Sequence, residues 1–188
     1  MPETNTAPEI FVSVDVETSG PNPREYAMLS IGACLVDDPG SSFYVELKPT
    51  TDNVVPEALA VSGLSMADLA RDGVDPEAAL LQFEEWLAEL PGPPIFTAFN
   101  AAFDWMFIED YFSRFLGRNP FGHAALDIKA YYMGMADSTW AQTSMRFLSP
   151  LYLDGHPLEH NALSDARDQA ELFRALRADA HSRRPSTD

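Results

Sequence analysis

A chain of 188 residues, 46% hydrophobic and 22% charged, fits one globular domain and is long enough to bury a proper core. Its net charge of −17 argues against capture of long duplex nucleic acid along its length, which relies on Lys and Arg, so any polyanionic partner should be short or gripped at an end. No apolar run approaches the ~20 residues of a membrane span, and the polar, acidic stretch 1–9 does not read as a secretory signal.

The first apolar run, Ile10-Phe11-Val12-Ser13-Val14, reads as a buried strand and ends in Asp15-Val16-Glu17-Thr18-Ser19-Gly20. Residues two apart in a strand share a face, so Asp15 and Glu17 point the same way. Their Cα atoms would lie roughly 6–7 Å apart at a rise of ~3.3 Å per residue. Two carboxylates so placed repel unless a cation sits between them. Hard oxygen ligands of this kind suit Mg²⁺ or Mn²⁺.

Gly20-Pro21-Asn22-Pro23 is a turn on residue chemistry alone. Tyr26 to Val36 predicts a central strand, and Asp37-Asp38-Pro39-Gly40 turns it back into the alternating strand Ser42-Phe43-Tyr44-Val45-Glu46-Leu47. The lone cysteine, Cys34, lies within the central run, where a buried, inert thiol in a reducing cytoplasm is the favoured reading. Pro56 to Leu69 is helical but interrupted at Ser62-Gly63. Asp75-Pro76-Glu77 opens a further helix, with Asp75 as N-cap and Pro76 at its first position. Leu80, Phe83, Leu87 and Leu90 form its inward stripe. Ile95-Phe96-Thr97-Ala98-Phe99 is a short buried strand, and Asn100-Ala101-Ala102-Phe103-Asp104 leads into an aromatic-faced helix.

The pattern predicts a fifth strand at residues 124–128, a helical piece through Tyr131-Tyr132-Met133, and a short helix plus loop between Met135 and Gly155. A last helix runs from about Ala162 to Ala180 with Asn161 as its cap. The expected organisation is a flexible stretch 1–9, one domain over 10–180 and a flexible tail 181–188. In His160-Asn161-Ala162-Leu163-Ser164-Asp165-Ala166, Asp165 lies one turn into the helix and His160 just before its cap, so both can project from the same end.

The ordered set D-x-E, N-x-x-F-D and H-x-x-x-x-D resembles the DEDDh 3′–5′ exonucleases, a group with the RNase H-like fold that includes proofreading exonucleases, RNase T and oligoribonuclease. The resemblance spans roughly residues 10–176 and includes Leu29-Ser30-Ile31-Gly32-Ala33 and Val61-Ser62-Gly63-Leu64-Ser65. A His five residues before the last Asp points to the His subtype. The resemblance implies an α/β domain, a five-stranded mixed sheet with helices on both faces. It implies that Asp15, Glu17 and Asp165 hold one divalent ion and that Asp15 with Asp104 positions a second. These would be two Mg²⁺ or Mn²⁺ acting on an in-line displacement at phosphorus. His160 would be the general base, with an unperturbed pKa of about 6.5. The expected product is a nucleoside 5′-monophosphate from a free 3′ end.

For the terminal nucleotide the resemblance points to the loop carrying Leu64 and to Phe103, with Asn100 and Thr18 as further substrate contacts. Arg114, Arg118, Lys129 and Arg146 are candidate phosphate contacts. One position departs from the pattern: Phe99 stands where many relatives carry a His. The expected partner is a single-stranded 3′ end of RNA or DNA, with short oligoribonucleotides slightly favoured by the charge. Pairing into homodimers is a family habit. A module that holds a 3′ end without cleaving it is the alternative, distinguished by metal-dependent binding with no mononucleotide release.

Overall fold

The computed structural model describes residues 8–153 and 161–183. The expected flexible stretch 1–9 and the tail 181–188 fall largely outside the described residues, and so does His160. A five-stranded sheet with strand order β3-β2-β1-β4-β5 forms the centre of the molecule. It comprises β1 (Ile10–Thr18), β2 (Met28–Leu35), β3 (Ser42–Glu46), β4 (Pro94–Ala98) and β5 (Ala125–Asp127). The first three strands form an antiparallel meander, and β4 and β5 add in parallel on the far side of β1. The mixed sheet is as expected. The middle position belongs to β1, with the more apolar β2 between it and β3.

Alternation along β1 divides the core. Val12, Val14 and Val16 enter one apolar layer with Leu80 and Phe83 of α3 (Pro76–Ala88) and Phe107 and Ile108 of α4 (Ala101–Leu116). The opposite face of the sheet is covered by α7 (Ala162–Ser182), whose Phe173 meets Phe11 edge-on at 5.4 Å. Cys34 is fully buried in that second layer with Ile128 of α5 (Ile128–Ala136) and Leu148 of α6 (Met145–Tyr152). The poorly patterned stretch resolves into a 3-10 turn, Trp140–Thr143, followed by α6.

The interrupted helix is two short helices, α1 (Pro56–Ser62) and α2 (Met66–Asp72). Gly63 ends the first in the left-handed region at φ 67°, a conformation that costs glycine little. Asp75 stands at the N-cap position of α3, but its side chain makes no cap hydrogen bond and instead meets Lys48 at 3.3 Å. Asn161 does cap α7, its side-chain oxygen accepting from the N–H groups of Leu163 and Ser164.

Candidate active site

Pairing between β1 and β4 runs from Ile10 to Ser13 on β1 and stops there. Beyond that point the backbone N–H of Val16 donates to Asp104 Oδ1 at 3.2 Å, so an acidic side chain at the start of α4 takes the place of a strand neighbour. The gap opens at the carboxyl ends of two parallel strands, where open α/β sheets place their ligand sites.

On the α7 side of β1, one carboxylate oxygen from each of Asp15, Glu17 and Asp165 lies within 4.8 Å of the others. Strand alternation supplies the first two and the first turn of α7 the third. The approach of α7 depends on Gly32, which pairs with Asp15 in the β1–β2 ladder. A Cβ there would lie 2.1 Å from the carbonyl carbon of Ala162 and 2.2 Å from the nitrogen of Leu163. Only a residue without a side chain lets the start of the helix rest on the strand.

Asp104 and Asp165 are buried, while Asp15 and Glu17 are partly exposed. Burial, and then Asp104, Asp165 and Glu17, hold the Asp15 carboxyl well above the usual carboxylate range, against a lowering hydrogen bond from Gln169. Burial and the nearby Asp165 push Glu17 up to about 7. Burial pushes Asp104 up to about 8, opposed by the N–H groups that it accepts from. Asp15, Glu17 and Asp165 converge, and hard oxygen donors in this arrangement fit a divalent cation. Asp104 stands apart from the group of three, its Oδ1 taken by Val16.

Gln169, one turn beyond Asp165, was not anticipated as part of the site. Its Nε2 donates to Asp15 Oδ1 at 2.6 Å and its Oε1 accepts the Phe99 N–H at 2.8 Å, so one amide joins α7, β1 and the end of β4. A polar residue on the inward face of a helix that covers a strand acid is the only signal that could have marked it.

Beside the acids lies a cleft of about 330 Å³, walled by Glu17, Thr18, Ala58, Val61 and Phe103. A second hollow of about 310 Å³ adjoins it through Thr18, Ala58 and Phe103 and reaches Pro21 and Val55. Helix α1 is fixed against the end of β1 by the Val55 N–H, which donates to the Ser19 carbonyl at 2.7 Å. Phe103 is half-buried: its ring meets Phe107 at 5.4 Å and also faces the cleft, so it belongs to core and site together. Thr18 gives its hydroxyl proton to the Gly20 carbonyl at 2.9 Å. Leu64 packs with Leu59 and Met66 against Leu69, and the apolar wall on this side is Val61, half exposed at 52%. Asn100 is exposed and sits at φ 66°, a left-handed position that Asn tolerates better than most residues, which turns β4 sharply into α4.

The α/β sheet thus carries clustered carboxylates at its strand ends beside a cleft with an aromatic wall, an arrangement suited to metal-assisted hydrolysis. The exonuclease family typified by RNase T matches residues 12–173 of the sequence. The chain is 48% identical over 174 residues to the 3′–5′ DNA exonuclease Cap18 of Escherichia coli, covering 91% of this chain and 93% of that protein. It is 30% identical over 176 residues to Ribonuclease T of Shewanella sp. (strain ANA-3), covering 86% and 79% respectively. Among solved structures, the nuclease domain of 3′hExo bound to rAMP superposes with a TM-score of 0.71 at 18% identity, over 93% of this chain and 95% of that one. Escherichia coli exonuclease I in complex with a dA16 oligonucleotide gives 0.71 at 15% identity, over 93% and 42%. At these identities the structural likeness is one of fold. The chain belongs to the DEDDh 3′–5′ exonuclease family.

Proposed function

We propose that this protein is a divalent-metal-dependent 3′–5′ exonuclease acting on single-stranded DNA and releasing nucleoside 5′-monophosphates. The observation that carries the reading is the convergence of Asp15, Glu17 and Asp165 to within 4.8 Å at the edge of the Val61–Phe103 cleft. Asp15, Glu17 and Asp165 would hold one Mg²⁺ or Mn²⁺, and Asp15 with Asp104 a second. When bound, two such ions offset the crowded negative charge and stabilise the attacking and leaving oxygens of an in-line displacement at phosphorus.

The chain's own residues do the rest. Gln169 fixes the Asp15 carboxylate, so its oxygens are oriented before substrate arrives. Phe103 and Val61 offer aromatic and apolar surface to the terminal nucleotide without reading its base edge. His160, five residues before Asp165 in the sequence, is the proposed base for the attacking water; it is supported by its place in the motif and by the imidazole's suitability as a general base. The buried thiol of Cys34 fits a cytoplasmic setting, and among the described residues no helix is long and apolar enough to cross a membrane.

The choice of DNA rests on the relative that shares 48% identity over nearly its whole length and is named a DNA exonuclease. The name of the more distant relative, Ribonuclease T, favours RNA as the second reading. A time course on 5′-labelled single-stranded DNA and RNA of equal sequence, with Mg²⁺, with Mn²⁺ and with chelator, tests both. A metal-dependent ladder shortening from the 3′ end is expected, faster on DNA. A faster RNA ladder would move the assignment to RNA. Intact oligomers from folded protein under every metal condition would leave only a binding module.

A further inference from the structure

Many of the twelve Lys and Arg side chains of this acidic chain are held by its own carboxylates. At least six of its Lys and Arg side chains are engaged in ion pairs, including Arg114 with Asp110 and Arg118 with Glu84. Lys129 combines a free charge with aromatic neighbours. Among the described residues it has no carboxylate within ion-pair distance, and its ammonium lies 4.3 Å from the Trp140 ring centroid and 5.7 Å from that of Phe99. Trp140 is 55% exposed, an unusual position for the largest apolar side chain.

This stack is tied to the acidic corner by hydrogen bonds. The Phe99 N–H is bonded to Gln169, which holds Asp15. Lys129 lies in the first turn of α5, where Asp127 accepts from Ala130 at 2.8 Å and, with its other oxygen, from Ala101 of α4 at 2.7 Å. Phe99 and Phe103 flank Asn100 in sequence, the first lying under Lys129 and the second lining the cleft. An exposed aromatic face beside an uncommitted ammonium matches the chemistry of a single-stranded nucleic acid: a base to stack and a phosphate to pair.

We propose that Phe99, Lys129 and Trp140 form a contact for the strand upstream of the scissile bond, with a base stacked on the free face of Trp140 and Lys129 at the adjoining phosphate. The proposal rests on the exonuclease reading above and adds a second point of grip that a longer strand would use.

The test compares kcat/KM on a single-stranded DNA dodecamer with that on a dinucleotide, for the wild type, Trp140→Ala and Lys129→Gln. The dodecamer-to-dinucleotide ratio is expected to fall about tenfold in Trp140→Ala, in line with the loss of one stacked base, and to fall in Lys129→Gln through the loss of a phosphate contact. Lys129→Gln should also flatten the log–log salt dependence of dodecamer binding by about 0.7. On the wild type, a phosphorothioate dodecamer that resists hydrolysis should quench tryptophan emission, and Trp140→Phe should remove that quenching. An unchanged ratio in both variants, or no Trp140-dependent quenching, overturns the upstream contact while leaving the exonuclease intact. A wild type that hydrolyses neither length overturns the exonuclease reading itself.

Discussion

Asp15 and Gly32 are partners across the β1–β2 ladder, and the space above Gly32 is occupied by the first turn of α7. The acid of the strand and the acid of the helix, Asp165, thus meet because the residue opposite Asp15 has no side chain. Gly32→Ala forces a methyl group into backbone at 2.1–2.3 Å, which cannot yield as a flexible side chain could. Overpacking of this kind typically costs ~1–3 kcal/mol. The displaced helix start also moves Asp165, and a misplacement of ~1 Å can lower turnover by ~10²-fold. Thermal melting and kcat on a single-stranded oligomer check both, and a Gly32→Ala protein with wild-type turnover would show that α7 does not set the acid's position.

The most crowded acid is Asp15, raised by burial and by three other carboxylates. Asp15→Asn keeps the shape and removes the charge. Turnover should fall below detection, because a ligand proposed for both ions is neutralised. The metal-free protein should at the same time melt a few degrees higher at pH 8, because the mutual repulsion is relieved. Detectable turnover near the wild-type level would remove Asp15 from the metal site, and a lower melting temperature would show that repulsion there is small.

The same crowding gives the metal-free protein a pH dependence with a definite sign. Glu17 and Asp104 have folded pKa values raised to about 7 and about 8, above unfolded values near 4. The folded state therefore binds their protons more tightly, and its stability falls as pH rises from about 4 through 7–8. In chelator the melting temperature should drop by several degrees between pH 5.5 and 8.5. Mg²⁺ should restore it, and by more at pH 8.5 than at 5.5, since the ion binds the deprotonated site of the folded state. A melting temperature that is flat or rising over this interval in chelator contradicts the argument.

What could be read in advance were features that depend on neighbours in sequence. The shared face of Asp15 and Glu17 follows from the two-residue period of a strand, the start of α7 from the capping chemistry of Asn161, and the break at Ser62-Gly63 from glycine's freedom at positive φ. Features that depend on the meeting of distant segments were not legible. Asp75 has the residue chemistry of a cap, yet tertiary structure offers it Lys48. The cleft wall passes through Val61 and Ala58 because the Val55 N–H fastens α1 to Ser19, a bond between loops that no period encodes. Trp140 lies in a stretch with little pattern, and its pairing with Lys129 exists only because α5 turns back onto it.

Gln169 is the sharpest case of such a residue, since its role is to join segments that lie far apart in sequence. Its amide satisfies the Phe99 N–H and one oxygen of Asp15, both at the end of the sheet. Gln169→Ala leaves both groups without their partner and should cost about 1–3 kcal/mol of stability. It also frees the Asp15 carboxylate to rotate, so the Mg²⁺ concentration for half-maximal activity should rise by about 10–100-fold, the usual effect of losing a group that orients a metal ligand. Gln169→Glu separates the two roles. It retains an acceptor for Phe99 but presents a further acid to Asp15 in place of a donor, so it should raise the metal requirement with less loss of melting temperature in Mg²⁺ than Gln169→Ala. A loss of stability in both variants with an unchanged Mg²⁺ requirement would mean that Gln169 supports the fold and leaves the orientation of Asp15 to other contacts.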